Sequence, residues 1–126
     1  MLWALIALST LVTARLPDAL QLVANSFLYD QADRIAALAL AQRLPMLASA
    51  ADVAYAGVLL AYGLSVTELH RRSAYYVKRI LEGANPSDLP VEQATRIELV
   101  INLKTAKALG VDVPGQLLAQ AGDVIE

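Results

Sequence analysis

A chain of 126 residues with a formal net charge of −2 and no cysteine is one domain by length, able to bury roughly two-thirds of the surface its unfolded form exposes. Ten basic residues against twelve acidic ones give no broad positive field for a phosphate backbone, which argues against nucleic acid. The missing cysteines exclude disulfides, thiolate nucleophiles and cysteine metal sites. Hydrophobic residues make up 57% and charged residues only 17%, an apolar excess that asks for a covering partner: an absent lobe, a membrane or, the expectation we favour, a second copy of the chain.

The first residues, 1–14, are an apolar run ending in Val12 and Ala14, the small-residue spacing that signal peptidases accept. No Lys or Arg precedes the run, and it is shorter than the ~20 residues of a membrane span. A buried helix over 1–13 and a vestigial signal-like segment are the two readings, with the helix preferred. After Pro17 a buried strand is expected over 18–24, then a loop opening at Asn25 and Ser26, an Ala/Leu-rich helix over 30–43 and a second strand over 46–50. Strand, helix and strand make a βαβ unit with parallel strands and a right-handed crossover.

Residues 51–57 read as a loop or short turn, 58–62 as a short apolar strand, and Gly63 as the break after it. Ser65 and Glu68 then form a capping box in front of a long helix. Along that helix Val66, Leu69, Ser73, Tyr76 or Val77, and Ile80 recur at three- and four-residue spacing, so this stripe is expected to face a core and the charged residues to face elsewhere. Gly83 ends the helix. Residues 85–93, with Pro86 and Pro90, form an extended connector carrying the buried-type residues Leu89 and Val91. Ile97, Leu99 and Ile101 alternate as a strand, Asn102 is an N-cap, and Gly110 with Pro114 stops the helix that follows. The sum is about four strands and four or five helices, a single α/β domain over 1–126 with three α/β/α layers and a mostly parallel sheet.

The stretch from Arg96 to Gly110, the preceding 81–93 and the ending 117–126 resemble the C-terminal portion of bacterial ABC-transporter substrate-binding proteins of the tryptophan/tyrosine type. The similarity runs from about Ala14 to Glu126 and includes 18–24, 34–39 and the Tyr62-Gly63 pair. The resemblance implies one lobe of a type I periplasmic-binding-protein-like fold, in a family whose chains are more than twice this long and grip a ligand between two lobes. It also implies an amino-acid-like or small aromatic carboxylate solute, an ABC permease as partner and a periplasmic location. The lack of a positively charged leader keeps the cytoplasm open as well.

Ligands of open parallel sheets sit beyond the carboxyl ends of the strands. Three loops qualify, and the resemblance makes them ligand-facing: Asn25 and Ser26 after the first strand, Tyr55 and Gly57 after the second, Tyr62 and Gly63 after the third. Ala56 stands where family members commonly carry the first of two glycines. Plainer roles compete with each: strand termination and capping for Asn25 and Ser26, packing for the two tyrosines, backbone angles for the two glycines.

His70, the only histidine, has no second ligand beside it and reads as a surface residue. No nucleophile elbow or P-loop is present, and no nucleophile, base and oxyanion donor can be named together. The expectation is therefore a solute-binding module without cofactor or chemistry. The alternative is a truncated, self-associating and domain-swapped remnant, a homodimer, that has lost its ligand.

Overall fold

The computed structural model describes residues 17–94 and 96–126. The expectation for 1–13 lies outside them. The described elements run β1 (Leu20–Leu22), α1 (Ser26–Asp30), α2 (Ala32–Ala41), β2 (Met46–Ala50), a 3₁₀ helix (Ala51–Ala56), β3 (Leu60–Leu64), α3 (Val66–Leu81), a 3₁₀ turn (Pro86–Asp88), β4 (Ile97–Asn102), α4 (Leu103–Leu109), α5 (Gly115–Leu118) and β5 (Asp123–Ile125). The five strands lie in sequence order. β1, β2 and β3 are parallel, β4 is antiparallel to β3, and β5 is parallel to β4. The α/β class with a mostly parallel sheet and flanking helices is as expected, with one strand more than the four anticipated.

Small residues let the helix lie close on the sheet. Ala32, Ile35, Ala36 and Ala39 at helical spacing meet Met46, Ala48 and Ala50 of β2, all buried, with Ala61 and Val100 behind them. Period-two alternation sends Leu47 of β2 to the opposite face, in register with Leu60 and Ile101. The 3₁₀ helix closes the core with Val53 and the fully buried Ala54. Val58, expected to begin the third strand, is instead a completely buried residue of the turn that precedes it.

Strand β3 is displaced by two residues from the expected 58–62, and Gly63 lies inside it rather than after it. Ala48 pairs with Ala61 but Ala50 pairs with Leu64, so β3 carries one extra residue between those pairs. A side chain at Gly63 would collide with the Ser49 carbonyl. Only a residue without Cβ fits a bulge pressed this closely against its neighbour.

The far end of β4 is held by polar groups. Asn102 caps α4, accepting the Thr105 N–H at 3.1 Å, while its Nδ2 donates to the Ala54 carbonyl at 3.2 Å. Thr105 Oγ1 donates to the Gly57 carbonyl at 2.9 Å. These bonds satisfy buried groups and tie α4 to the turn before β3. Helix α4 ends on Gly110 in the left-handed region (φ 72°), as expected.

Between β3 and β4 the chain leaves the sheet and returns to the same place. Leu64 pairs with Ile97, so residues 65–96 form an excursion with both ends at one edge. Helix α3 has 16 residues and so spans about 24 Å. None of its residues is buried. Val66 packs half-buried against the core, but Leu69, Val77, Ile80 and Leu81 are exposed, so beyond the first turn the stripe expected to face a core faces none among the described residues. Val91, read as a buried type, is fully exposed.

Candidate functional site

Strands β1, β2 and β3 finish at one edge of the sheet, and the sequence-predicted residues distribute unevenly about it. Asn25 and Ser26 follow β1. The Asn25 Oδ1 accepts the N–H groups of Phe27 at 3.0 Å and Leu28 at 3.3 Å, capping α1. This is the capping role weighed from sequence, and it commits the oxygen. The amide nitrogen takes part in none of the described hydrogen bonds. Ser26 is exposed beside it. Tyr62 and Gly63 lie in the last turns of β3, with Tyr62 60% exposed. Two strand spacings separate β1 from β3, about 10 Å, with the end of β2 between them.

Tyr55 and Gly57 stand apart from this group. The Leu59 N–H donates to the Met46 carbonyl at 2.9 Å, so the chain has already returned to the start of β2 when it passes Gly57. Gly57 therefore lies about one strand length, roughly 16 Å, from the edge where β2 ends. Its φ of 100° demands glycine for the turn itself. The Tyr55 hydroxyl donates to the Asp123 carboxylate at the start of β5. That hydrogen bond, followed by desolvation and the same carboxylate's charge, raises the Tyr55 pKa. Both residues have structural work to do.

Two constellations at the edge were not foreseen. Tyr29 Oη and Ser49 Oγ share a hydrogen bond of 3.2 Å, and Ser49 Oγ donates to the Leu22 carbonyl at 3.3 Å, closing the gap between β1 and β2. The Asp52 carboxylate accepts the backbone N–H groups of Val66 and Thr67 and the Ser65 hydroxyl. It caps α3 from the body of the sheet. Ser65 Oγ accepts the Glu68 N–H at 3.3 Å, which is one half of the expected capping box. Glu68 pairs with Arg71 instead of reaching back, and Asp52 satisfies two different first-turn N–H groups, those of Val66 and Thr67. An acidic side chain at a helix start is favoured by the dipole, but its arrival from 14 residues upstream carries no local sequence signal.

Beyond this edge a groove of about 340 Å³ runs between α3 and the returning segment, with Leu64, Leu69, Arg72, Tyr76, Glu92 and Arg96 among its walls. Arg72 forks onto Glu92, its Nε 2.6 Å from the carboxylate. Its guanidinium carbon lies 4.3 Å from the Tyr75 ring centroid and 5.3 Å from that of Tyr76. The Tyr76 hydroxyl donates to the Pro90 carbonyl at 2.9 Å. The Arg72 bond holds the Glu92 carboxyl below its usual pKa. Arg72 is one of the charged residues of α3 expected to face away from the apolar stripe. It staples the connector to α3. Across the groove Arg72 pairs with Glu92 and Arg96 with Glu98.

Among the described residues no three His, Asp or Glu side chains gather to hold a metal ion, and no described helix is long and apolar enough to cross a membrane. His70 is exposed on α3.

Residues 13–125 match the model of a protein family described as ABC transporter substrate binding protein. No curated protein matches the chain. Among solved structures, an ABC domain in complex with L-Trp from Streptococcus pneumonia is similar at 26% identity and a TM-score of 0.78, covering 93% of this chain and 39% of that one. A conserved domain protein from Vibrio cholerae is similar at 25% identity and a TM-score of 0.77, covering 92% and 39%. A ligand-free, open substrate binding protein with adhesive properties from Clostridium difficile is 19% identical, with a TM-score of 0.60 over 94% of this chain and 40% of its own, and speaks to the fold alone. The chain thus spans about two-fifths of the length of the solved relatives it matches.

Proposed function

Because the chain belongs to the ABC transporter substrate-binding protein family, we propose that it binds a small amino-acid-like or aromatic carboxylate solute, without chemical conversion, at the edge where β1 and β3 end. The observation that carries this reading is the match, over 93% of the chain, to a structure whose ligand is L-Trp. The geometry supports it in two ways. Asn25, Ser26, Tyr62 and Gly63 lie at the carboxyl ends of two parallel strands about 10 Å apart, and Tyr62 offers an exposed aromatic surface of the kind that stacks on a planar ligand. Tyr55 and Gly57 belong to the proposed site only through their loop, and we assign them to holding β5 and turning the chain.

A single sheet edge covers one side of a solute, whereas tight sites bury most of a ligand's surface. Binding by this chain is accordingly weak, and delivery to an ABC permease outside the cytoplasm needs the enclosure that a second body would add. A thermal-shift titration with the common amino acids and several aromatic carboxylates tests the reading. Ligand at about 100 times its dissociation constant stabilises the native state by about 2.7 kcal/mol. A raised melting temperature for one chemical class supports solute binding, and a flat panel refutes it.

A further inference from the structure

We propose that the hydroxyl of Tyr29 recognises a solute ammonium group, so that the sheet edge selects amine-bearing amino acids over aromatic carboxylates that lack the amine. The partners at the edge fix where the protons sit. A carbonyl cannot donate, so the 3.3 Å bond between Ser49 Oγ and the Leu22 carbonyl uses the single Ser49 hydroxyl proton. Ser49 Oγ can then only accept in its 3.2 Å bond with Tyr29 Oη, which commits the Tyr29 proton to that bond. What remains on Tyr29 Oη is lone-pair capacity. It is an acceptor at the edge, with no proton left to donate.

Tyr29 is placed for this role by the strands. Leu22 pairs with Ala48, so Ser49 is the next residue of β2 towards the edge, and its carbonyl is the atom that a side chain at Gly63 would strike. Tyr62 and Ser49 directly follow the paired Ala61 and Ala48, one strand spacing of about 5 Å apart. Ser49 thus lies between the end of β1, with Asn25 and Ser26, and the bulge that carries Tyr62 and Gly63. The Tyr29 ring is half-buried and packs against the core. Its hydroxyl is therefore held in position before any solute arrives, which lowers the entropy lost on binding.

The other polar groups of the edge are complementary. Because Asn25 Oδ1 accepts the Phe27 and Leu28 N–H groups, the part of that amide left for a solute is Nδ2, a donor only, suited to a carboxylate oxygen. Residues 23–31, 50–57 and 62–67, which make up the edge, contain Asp30 and Asp52 and neither Lys nor Arg. The flanking arginines are engaged elsewhere, Arg34 with Gln31 at 3.1 Å and Arg96 with Glu98 at 2.8 Å. A carboxylate without an amine meets only neutral donors in a negative field. A zwitterion sets its ammonium against an acceptor in a field that favours it, and hydrogen bonds to an ionised partner are the stronger ones.

Tyr29 can select only if the edge binds solute at all, so this role rests on the solute-binding reading, and paired ligands keep the two apart. Nitrogen-15 chemical-shift titrations of the full chain with L-tryptophan and with indole-3-propionate, which differ in the ammonium group alone, give two dissociation constants. L-Tryptophan should bind more tightly by about tenfold or more, the range of a hydrogen bond to a charged group. Tyr29→Phe keeps the ring and its packing. It should bring the two constants together by weakening L-tryptophan while indole-3-propionate is unchanged. Equal binding of the two ligands by the unaltered chain overturns the role of Tyr29 and leaves the solute reading standing. A preference that persists in Tyr29→Phe overturns it as well, as does an equal loss of both affinities, which would make Tyr29 a structural residue. No saturable shift with either ligand sinks the solute reading and the role of Tyr29 with it.

Discussion

Helices α2 and α3 each carry an apolar stripe at helical spacing, and within the described chain they meet opposite fates. α2 buries Ala32, Ile35, Ala36 and Ala39 against the sheet, whereas the 16 residues of α3 bury none. The stripe of α2 is small and fits closely over the alanines of β2. The stripe of α3 is larger, with Leu69, Val77, Ile80 and Leu81, yet it is open. Hydrophobic periodicity therefore states that a face is to be covered and leaves unsaid which body covers it.

Substitutions in the two helices test that contrast most strongly. Ile35→Ala should cost about 2–5 kcal/mol, since it opens a cavity in the core, whereas Ile80→Ala in the chain alone should stay within about 0.5 kcal/mol. Urea denaturation of the two variants measures both. Equal losses would mean that α3 is already covered. The glycines give a second, smaller contrast. Gly63→Ala forces a Cβ into the Ser49 carbonyl and should cost about 1–3 kcal/mol by overpacking. Gly83→Ala meets open space and should cost only about 1 kcal/mol for its positive φ.

The junction between the body and the excursion 65–96 is the next target. Asp52→Ala removes the acceptor of the Val66 and Thr67 N–H groups, and loss of a helix cap costs about 0.5–2 kcal/mol. Exchange of those two amides should accelerate while the amides of β2 and β4 hold. An unchanged first turn would show that Ser65 alone suffices.

The smallest effect is the pH response of the staple. The Glu92 carboxyl has a lowered pKa in the folded chain because Arg72 donates to it. The contribution of this pair is thus present above the ordinary carboxylate range and is lost as pH falls through the lowered value. A carbon-13 titration of Glu92 should move up to the usual range in Arg72→Gln, with the connector 84–94 loosening and the sheet unaffected. Both partners are exposed, so global stability should hardly change.

Much of the body was legible in sequence because its signals are local. Pro17 and Pro45 bracket β1 and α2, β2 follows Pro45 directly, and a strand–helix–strand order implies the parallel pairing observed. Asn102 and Gly110 announced both ends of α4 by residue type alone. Strand β3 was misplaced by two residues because Val58, Leu59 and Leu60 form a uniformly apolar run, and only the close passage of Ser49 explains why Gly63 sits inside the strand. β5 is three residues long, too short for alternation to register. The antiparallel turn of β4 follows from where the excursion 65–96 returns, a fact of tertiary pairing. Within the proposed site Asn25, Ser26, Tyr62 and Gly63 were named from loop position, but the distance of Gly57 from them required the hydrogen bond between Leu59 and Met46. Asp52 and the Arg72–Glu92 pair act across 14 and 20 residues and left no pattern in the sequence.

The most direct test of solute binding is a nitrogen-15 chemical-shift titration of the chain with L-tryptophan, which registers weak binding that calorimetry misses. Solute binding at the sheet edge predicts saturable shifts of the Asn25, Ser26, Tyr62 and Gly63 amides, with Gly57 unmoved. No saturable shift, or shifts confined to the groove lined by Arg72 and Glu92, would contradict it.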